Sequence, residues 1–406
     1  MPDSVKQTLC ASVDAMAPEL LAVSREIHAN PELAFQETRA AALLVRTARD
    51  HGLDVQTGSY GLTTAFEATF GPDGGAPNTN VAVLAEYDAL PGIGHACGHN
   101  LIATSALGAA LALQSLRNEL PGRVTLLGTP AEEKGGGKEL MARNGAFENV
   151  DAAMMMHPAG INLATMASIC VAEVDVVYHG RSAHASAMPH KGRNALDGLL
   201  LAYQAISNLR QHIRHSERIH GIVTDGGQAP NIVPDRAAGE FYVRARNAED
   251  LEALKPRVKA CFEAGAKASG CEVEMNWGAV DYLDLNTNWP LAAAFQANAE
   301  LLGRKFASSE ERTLSGAGST DMGNVSHRVP SIHPMLAAAP RGVVIHNPEF
   351  AKYAGSEMGD KAALDGAKAL AMTAYDFLAD THLQADAKRA FAIANGLAGS
   401  GTPETR

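Results

Sequence analysis

Short, uninterrupted apolar runs alternate with longer helix-forming segments over much of the chain. Residues 81–85 form an apolar run that ends at polar residues and a Pro-Gly turn, and we predict a buried strand there. Residues 123–130 have the same character and predict a second buried strand, and residues 101–116, between the two, predict a helix. Strands that alternate with helices in this way are typical of an α/β fold.

The middle of the chain follows a different order. We predict strand 172–178, helix 194–213, strand 221–225, strand 239–246, helix 248–269 and strand 271–277. The order βαββαβ is typical of a ferredoxin-like sheet covered by two helices. Apolar residues recur every three or four positions along helix 194–213, and we expect this stripe mostly to cover the domain's own sheet. With 406 residues, 46% of them hydrophobic, the chain is long enough for two domains.

Residues of metal-ligand type follow four of the apolar runs. The first run is followed by Glu86, Asp88, His95, Cys97 and His99 on a Gly-rich loop, the second by Glu132 and Glu133, and the runs 151–156 and 342–345 by His157 and His346. Any one of these features is more often structural, because an isolated cysteine is usually a small core residue. Four of them in one chain are poorly explained by chance. We therefore predict a metal site beyond the carboxyl ends of the strands, where ligands bind in open α/β sheets.

Glu132 and Glu133 are adjacent in the sequence, and neighbouring side chains on extended backbone point in opposite directions. One carboxylate can then bind a metal ion while the other faces the cleft. Metal-assisted hydrolysis needs this division, because a free base must take a proton from water and give it to the leaving amine.

Five separated blocks, residues 86–100, 130–137, 156–158, 180–194 and 318–323, resemble the M20 family of metallopeptidases and amidohydrolases. More narrowly, they resemble the branch that holds aminoacylase-1-like-2 dipeptidases and p-aminobenzoyl-glutamate hydrolases. The resemblance extends over about residues 27–378, with the blocks in the family's order. It implies an α/β fold with a mixed-sheet, zinc-exopeptidase-like catalytic domain and an inserted ferredoxin-like βαββαβ lid and dimerisation domain. The expected boundaries are 1–170 plus 279–406 for the discontinuous catalytic domain and 171–278 for the insertion.

The resemblance also implies a dinuclear metal centre. Cys97 would be shared between two divalent ions, and the ligand set would be completed by His99, Glu133, His157 and His346. Zinc or manganese would be the metal, and these ligand types also admit cobalt. Glu132 would be the general base and acid, and Asp88 would orient a ligand imidazole. Glu86 departs from the broader family, in which many members have a histidine, and its role is open.

Substrate contacts are implied in the same way. His184 would reach from one subunit's lid into the partner's site to stabilise the oxyanion. Asn231 and Arg244 would bind the substrate, since a guanidinium can give a carboxylate two parallel hydrogen bonds. Ser319 and Asp321 would lie on the loop that lines the pocket, with Asp321 more a supporting residue than a catalyst. We interpret His190 as a surface residue and His333 as a structural one.

Charge and cysteine content narrow the partners and the location. A net charge of −11 argues against nucleic acid or an anionic membrane as partner. The five cysteines show no disulfide spacing, and we identify neither a signal-like amino terminus nor an apolar run long enough to span a membrane. We therefore expect a soluble cytoplasmic protein, and the resemblance adds a homodimer formed through the lid domain.

The predicted function is metal-dependent hydrolysis of an amide bond in an N-acyl amino acid, dipeptide or aryl-amide substrate, by metal-activated water with Glu132 as general base. One alternative is a hydrolase of another C–N bond, in an N-carbamoyl compound or an aromatic amine. A second is a non-catalytic metal-containing protein that binds small peptides, although the presence of Glu132 disfavours it. A thiol redox protein would leave the glutamates and histidines unexplained.

Overall fold

The computed structural model describes residues 2–72, 79–308 and 318–396, and the chain divides into two compact units. The first unit comprises Met1–Ala167 and Leu285–Arg406, and the second comprises Ser168–Asp284. The second unit thus interrupts the first in sequence. The predicted insertion, residues 171–278, begins three residues after Ser168 and ends six residues before Asp284.

Six of the described strands form the main sheet of the first unit. They are β1 (Gln56–Thr57), β2 (Phe66–Phe70), β3 (Asn80–Ala85), β4 (Arg123–Gly128), β5 (Ala152–Met154) and β11 (Ser331–Ile332), in the order β1-β2-β4-β3-β5-β11. β2 pairs with β1 and β4 antiparallel, whereas β4, β3, β5 and β11 are parallel neighbours. The sheet is therefore mixed, as predicted. The strands predicted at 81–85 and 123–130 are confirmed as β3 and β4, with ends shifted by one or two residues.

Helices pack against both faces of this sheet. The described helices of the first unit are α1 (Pro2–Ala29), α2 (Thr38–Asp50), α3 (His99–Gln114), α4 (Gly137–Arg143), α7 (Trp289–Leu301), α8 (Met322–Ser326), α9 (Pro348–Ala354), α10 (Glu357–Ala379) and α11 (Thr381–Ala394). Val81 and Val83 belong to the core that includes α1, α3 and α10, whereas Ala82 and Leu84 belong to the core on the α4 and α8 side. A strand buried on both faces must be apolar throughout, which explains its uninterrupted apolar run. None of the described helices is both long and apolar enough to span a membrane.

Two expectations about the metal-site segments are wrong. The run before His157 is not one strand, because β5 ends at Met154 and the chain resumes as β6 (His157–Ala159), which pairs in parallel with β12 (Met335–Ala337). The run 342–345 is not a strand at all. It belongs to a turn in which His346 has a φ of 61°, and α9 begins two residues later.

The second unit has the predicted βαββαβ order: β7 (Cys170–His179), α5 (Ala195–Leu209), β8 (Arg218–Asp225), β9 (Arg236–Ala245), α6 (Ala248–Ser269) and β10 (Glu272–Trp277). Its antiparallel sheet has the order β10-β7-β9-β8, the fourth, first, third and second strands of a ferredoxin-like unit. On α5, Leu199 and Ile206 are buried against this sheet, but Leu200 is 50% exposed. The apolar stripe therefore covers the sheet with only part of its width.

Candidate metal centre and active site

Cys97 and His99 lie on the loop that follows β3, on either side of Gly98. Gly98 has a φ of 82°, in the left-handed region that favours glycine, and a Cβ there would lie 2.6 Å from Cγ of Pro158. This tight turn ends at His99, where α3 begins. The turn brings donor atoms of Cys97, His99 and His157 within 4.8 Å of one another, and all three residues are buried.

The hydrogen bonds of the two buried histidines leave one ring nitrogen of each for a metal ion. Nδ1 of His99 lies 3.0 Å from Oδ1 of Asp88, and its Nε2 has no hydrogen-bond partner among the described residues. Nδ1 of His157 lies 2.8 Å from the carbonyl oxygen of Pro158, and its Nε2 lies 3.3 Å from Sγ of Cys97. An acceptor at Nδ1 fixes the proton there and leaves the Nε2 lone pair for a cation. Asp88 is thus placed to orient the His99 ring.

Glu132 and Glu133 lie in a turn after β4, and the expectation of extended backbone is wrong for them. The turn begins at Ala131, a non-glycine residue with a φ of 62°. Glu37, which is fully buried, holds this backbone in place by accepting a hydrogen bond from the Ala131 N–H at 2.9 Å. Asp88 accepts another from the Glu133 N–H at 2.9 Å. Backbone in this region of φ is unfavourable for a residue other than glycine, so two buried carboxylates fix the turn that carries both glutamates.

The turn separates the two glutamates by donor group, as the sequence predicts. Oε2 of Glu133 lies 3.3 Å from Nε2 of His346, and these two residues form a second donor group with Cys97. Glu132 belongs to neither group that contains Cys97. It is grouped instead with Glu86 and His99, with its Oε2 3.8 Å from Nε2 of His99. His346 is held by a backbone hydrogen bond of 2.9 Å from its N–H to the Ala96 carbonyl.

This donor set fits two divalent ions that share Cys97. One thiol, three imidazoles and one carboxylate are ligands typical of zinc and related transition metals. Nε2 of His99 and Oε1 of Glu133 are buried and lack hydrogen-bond partners in the part of the chain that the structure describes. Buried polar atoms without partners are costly, so their convergence at one place indicates a site built for cations.

Burial and mutual charge shift the pKa values of the site. Burial, together with the carboxylates of Glu86 and Glu133, raises the pKa of Glu132 well above its ordinary value of 4.5. For Glu133, burial acts in the same direction but is outweighed by His346 and His99, which lower its pKa. Burial lowers the pKa of His157 to about 3, so this imidazole is neutral and available as a ligand at physiological pH. The two glutamates are thus made chemically different by their surroundings, as an acid–base residue and a ligand should be.

Behind Glu86 lies a fully buried lysine that the sequence analysis missed. Nζ of Lys138 lies 2.5 Å from Oε1 of Glu86 and 2.6 Å from Oδ1 of Asp321, and all three side chains are fully buried. Asp321 also accepts a hydrogen bond from the Lys138 backbone N–H at 2.8 Å. Both Asp321 oxygens therefore contact Lys138, and Asp321 is not among the residues that line the cavity described below. This differs from the expected place of Asp321 in the substrate pocket.

A cavity of about 670 Å³ opens beside the candidate metal ligands. Cys97, Glu132, Glu133, His157 and His346 line one side of it. Much of the remaining wall is apolar and includes Ile161, Leu163, Met166, Met335, Val343 and Ile345. Ser319 and Arg341 supply polar groups, which for Ser319 agrees with its predicted position. The part of its predicted loop at 315–317 lies outside the described residues.

His333, interpreted above as structural, also lines this cavity. It is buried, and its ring centroid lies 5.2 Å from that of His157. Nδ1 of His333 has no hydrogen-bond partner among the described residues. No local signal in Ser-Ile-His-Pro distinguishes it from a structural histidine, because its exposure to the cavity results from the pairing of the neighbouring β12 with β6.

His184, Asn231 and Arg244 lie in the second unit. The segments that carry His184 and Asn231 are joined by two backbone hydrogen bonds, from the Ala185 N–H to the Asn231 carbonyl and from the Val233 N–H to the Ala183 carbonyl. Nδ1 of His184 accepts a hydrogen bond from the Ala187 N–H at 3.2 Å. A neutral His184 ring therefore carries its proton on Nε2, where it can be donated. Arg244 lies on β9 with its Nε 3.2 Å from Nε2 of His220.

Comparisons with known proteins agree with this geometry. A model of the family described as peptidase family M20/M25/M40 matches residues 82–375. Xaa-Arg dipeptidase of Mus musculus is 42% identical over 386 residues, which cover 92% of this chain and 89% of the mouse protein. A subunit of the p-aminobenzoyl-glutamate hydrolase of Escherichia coli (strain K12) is 29% identical over 436 residues, which cover 89% of each chain.

Among solved structures, the Bacillus subtilis YXEP protein has a similar fold. Its TM-score is 0.68 at 22% sequence identity, over 90% of this chain and 99% of that one. That protein is described as a dinuclear metal-binding peptidase from the M20 family. At this level of identity the likeness shows the fold alone.

Proposed function

Because the chain belongs to peptidase family M20/M25/M40 and is a metal-dependent amidohydrolase or peptidase, we propose that it cleaves the amide bond of an N-acyl amino acid, a dipeptide or an aryl amide, with Glu132 as general base and acid. One observation carries the proposal. Glu132 is a buried carboxylate on the wall of the cavity, yet it is outside both donor groups that contain Cys97.

In this proposal Cys97, His99 and His157 hold one divalent ion, and Cys97, Glu133 and His346 hold the other. Such ions, when bound, supply Lewis-acid polarisation of the carbonyl and a lowered pKa for water. Asp88 keeps the proton of His99 on Nδ1, so that Nε2 stays a ligand. Zinc, manganese and cobalt are all compatible with this set of donors.

Glu132 would move the proton. Its carboxylate takes a proton from the attacking water and gives it to the nitrogen of the leaving amine. Burial and the neighbouring carboxylates raise the pKa of Glu132, which makes it a stronger base than an exposed glutamate. A bound cation opposes this rise, and the two effects together favour a pKa nearer to neutrality than either extreme.

The cavity supports a substrate with an apolar or aromatic group and a carboxylate. Its wall is largely apolar, and Arg341 is the cation among its described lysine and arginine positions. A guanidinium attracts a carboxylate and repels a cationic side chain. We therefore propose that p-aminobenzoyl-glutamate-like compounds and N-acyl amino acids fit this wall better than dipeptides with a carboxyl-terminal arginine. The roles of His184, Asn231, Arg244 and Ser319 in substrate binding stay predictions.

The test is hydrolysis of a panel by the purified chain after chelation and after addition of zinc, manganese or cobalt. The panel contains N-acyl amino acids, Xaa-Arg and other dipeptides, p-aminobenzoyl-glutamate, non-peptide aryl amides and N-carbamoyl amino acids. We expect metal-restored cleavage by the wild type and a loss of about 10²- to 10⁴-fold in kcat for Glu132→Gln. Glu217→Gln, which changes a similarly buried glutamate in the second unit, is the matched control and should keep wild-type kcat.

Two results separate the alternatives. Metal binding without turnover of any compound would refute the hydrolase and favour a peptide-binding protein. Cleavage of N-carbamoyl compounds alone would favour the other C–N hydrolase. In the same panel, Arg341→Gln should raise KM for p-aminobenzoyl-glutamate and leave kcat nearly unchanged, and an unchanged KM would refute the role of Arg341.

We also propose a homodimer formed through the second unit. β8 is an edge strand of its sheet and exposes Ile222 and Val223, by 61% and 42%. On α5, Leu200 and Leu201 are 50% and 46% exposed. An exposed apolar edge strand is a ready surface for pairing with another chain.

A further inference from the structure

We infer that Lys138 is a positioning residue that holds the Glu86 carboxylate away from the metal ions, and thereby limits the ligands to Cys97, His99, Glu133, His157 and His346. The inference rests on the proposed metal centre and assigns a role to Glu86, which the sequence leaves open. It predicts that the contact between Lys138 and Glu86 determines the coordination of the ion beside His99.

Glu86 lies where a ligand would lie. Its Oε2 is 3.5 Å from Nε2 of His99, the nitrogen that His99 presents to a cation, and both residues are fully buried. Glu86, His99 and Glu132 offer donor atoms within 4.8 Å of one another. A third carboxylate at this distance would compete with Glu133 for an ion and would occupy space that Glu132 needs for water.

Lys138 provides a counter-charge to this carboxylate. Its ammonium lies 2.5 Å from Oε1 of Glu86, and neither oxygen of Glu86 has a well-formed hydrogen bond among the described residues. The electrostatic attraction of Lys138 is therefore the main partner that the described protein gives Glu86. Burial alone would lower the pKa of Lys138, but Asp321, Glu86 and Glu132 outweigh it and raise that pKa above the ordinary value of 10.5. Lys138 is thus a permanent cation at physiological pH.

Asp321 fixes the position of that cation. Its two oxygens contact Lys138 at Nζ, 2.6 Å away, and at the backbone N–H, 2.8 Å away. This two-point contact anchors both ends of the lysine, so Nζ is directed at Glu86. The row Asp321, Lys138, Glu86 and His99 therefore ends at a nitrogen that is a candidate metal ligand. Two carboxylates and one ammonium leave one negative charge in the row, and removal of Lys138 leaves two.

The test compares metal binding by the wild type, Lys138→Met, Glu86→Gln and the double variant that carries both changes. Cobalt(II) is the probe, because its visible absorption weakens as coordination changes from four to five or six ligands. We expect Lys138→Met to weaken the visible bands and to bind the ion beside His99 at least about tenfold more tightly, the scale on which groups around metal ligands act. The double variant should regain the wild-type spectrum and Kd, since a neutral amide needs no ammonium beside it.

Three results would overturn the inference. A wild-type spectrum and Kd in Lys138→Met, with only a lower Tm, would make the lysine merely structural. A double variant that keeps the tightened Kd would show a general charge effect that does not act through Glu86. Loss of one ion from Glu86→Gln, which keeps Lys138 and Asp321 paired, would make Glu86 itself a ligand. This last measurement decides the question even if Lys138→Met fails to fold.

Arg304→Met is the matched control. Arg304 forms an equally close ion pair with Asp365, at 2.7 Å with both side chains 9% exposed, within the same unit. Its loss should lower Tm without a change in the cobalt spectrum. Failure of the wild type to bind cobalt or zinc at all would instead refute the proposed metal centre, so the two failures are distinguishable.

Discussion

Gly98 offers a strong test of how the turn between Cys97 and His99 builds the metal centre. Replacement by alanine adds a Cβ that would lie 2.6 Å from Cγ of Pro158 and 3.2 Å from Cε1 of Phe350. Gly52, which follows α2, has an almost identical φ, 83° against 82°, but nothing lies within 4 Å of its Cβ position. Gly52→Ala therefore shares the backbone cost of Gly98→Ala without the collision.

The difference between the two variants can be estimated. A left-handed φ in a residue with a Cβ costs about 1–2 kcal/mol, and both variants carry this cost. Overpacking adds about 1–3 kcal/mol at Gly98 alone, because Pro158 and Phe350 must shift. We expect the free energy of unfolding to fall by about 2–5 kcal/mol in Gly98→Ala and by about 1–2 kcal/mol in Gly52→Ala.

Two assays separate stability from ligand geometry. Urea unfolding in the presence of a chelator measures the free energy without metal, and competition with a zinc indicator measures Kd on the folded protein. The shift of Pro158 should displace His157 as well as Cys97 and His99, so we expect Gly98→Ala to bind zinc about 10- to 100-fold more weakly. Gly52→Ala should bind zinc like the wild type. Equal unfolding free energies and equal zinc affinities in the two variants would refute the argument from close packing.

Three further predictions concern the buried carboxylates and the second unit. Burial raises the pKa of Glu37 from 4.5 to about 7, so its contribution to stability is fully present below pH 4.5 and is lost as pH rises through about 7. In the chelated protein, the free energy of unfolding should therefore fall with pH by about 3 kcal/mol relative to Glu37→Gln, and parallel pH curves in urea unfolding would contradict this. Asp88→Asn should weaken zinc binding about 10- to 100-fold, because His99 loses the carboxylate that holds its Nδ1 proton, whereas wild-type affinity in the indicator assay would exclude that role. Ile222→Lys, on the exposed edge strand β8, should shift the mass measured by light scattering from dimer to monomer, with Glu274→Lys on the opposite edge strand β10 as control; a monomeric wild type would exclude the dimer.

The parts of the fold that local sequence determines were predictable. β3 and β4 are buried on both sides, so their apolar runs are uninterrupted, and their ends were located within two residues. Helix α6 was predicted over its full length, because an Asn cap and a Gly stop mark its ends. In both cases the signal lies within the segment itself.

The turns that carry the ligands could not be predicted from their own residues. Ala131 has a φ of 62° because Glu37, 94 positions earlier, accepts its N–H. His346 has a φ of 61°, and its N–H is bound by the carbonyl of Ala96. Neither residue type favours this backbone region, so local propensity predicts an extended chain at both places. The residue types of the ligands were visible in the sequence, but the backbone that directs them depends on distant partners.

Lys138 illustrates the same limit for charge. In the segment Lys-Gly-Gly-Gly-Lys-Glu it resembles an exposed turn residue, since lysine is rarely buried unless it is paired. Its partners, Glu86 and Asp321, are 52 positions before it and 183 positions after it. Each of these three residues alone would be costly to bury, and they are tolerated only together. A candidate metal centre in a new sequence can therefore be located from its ligand residues, but the charges that select among those ligands become visible only when the chain is folded.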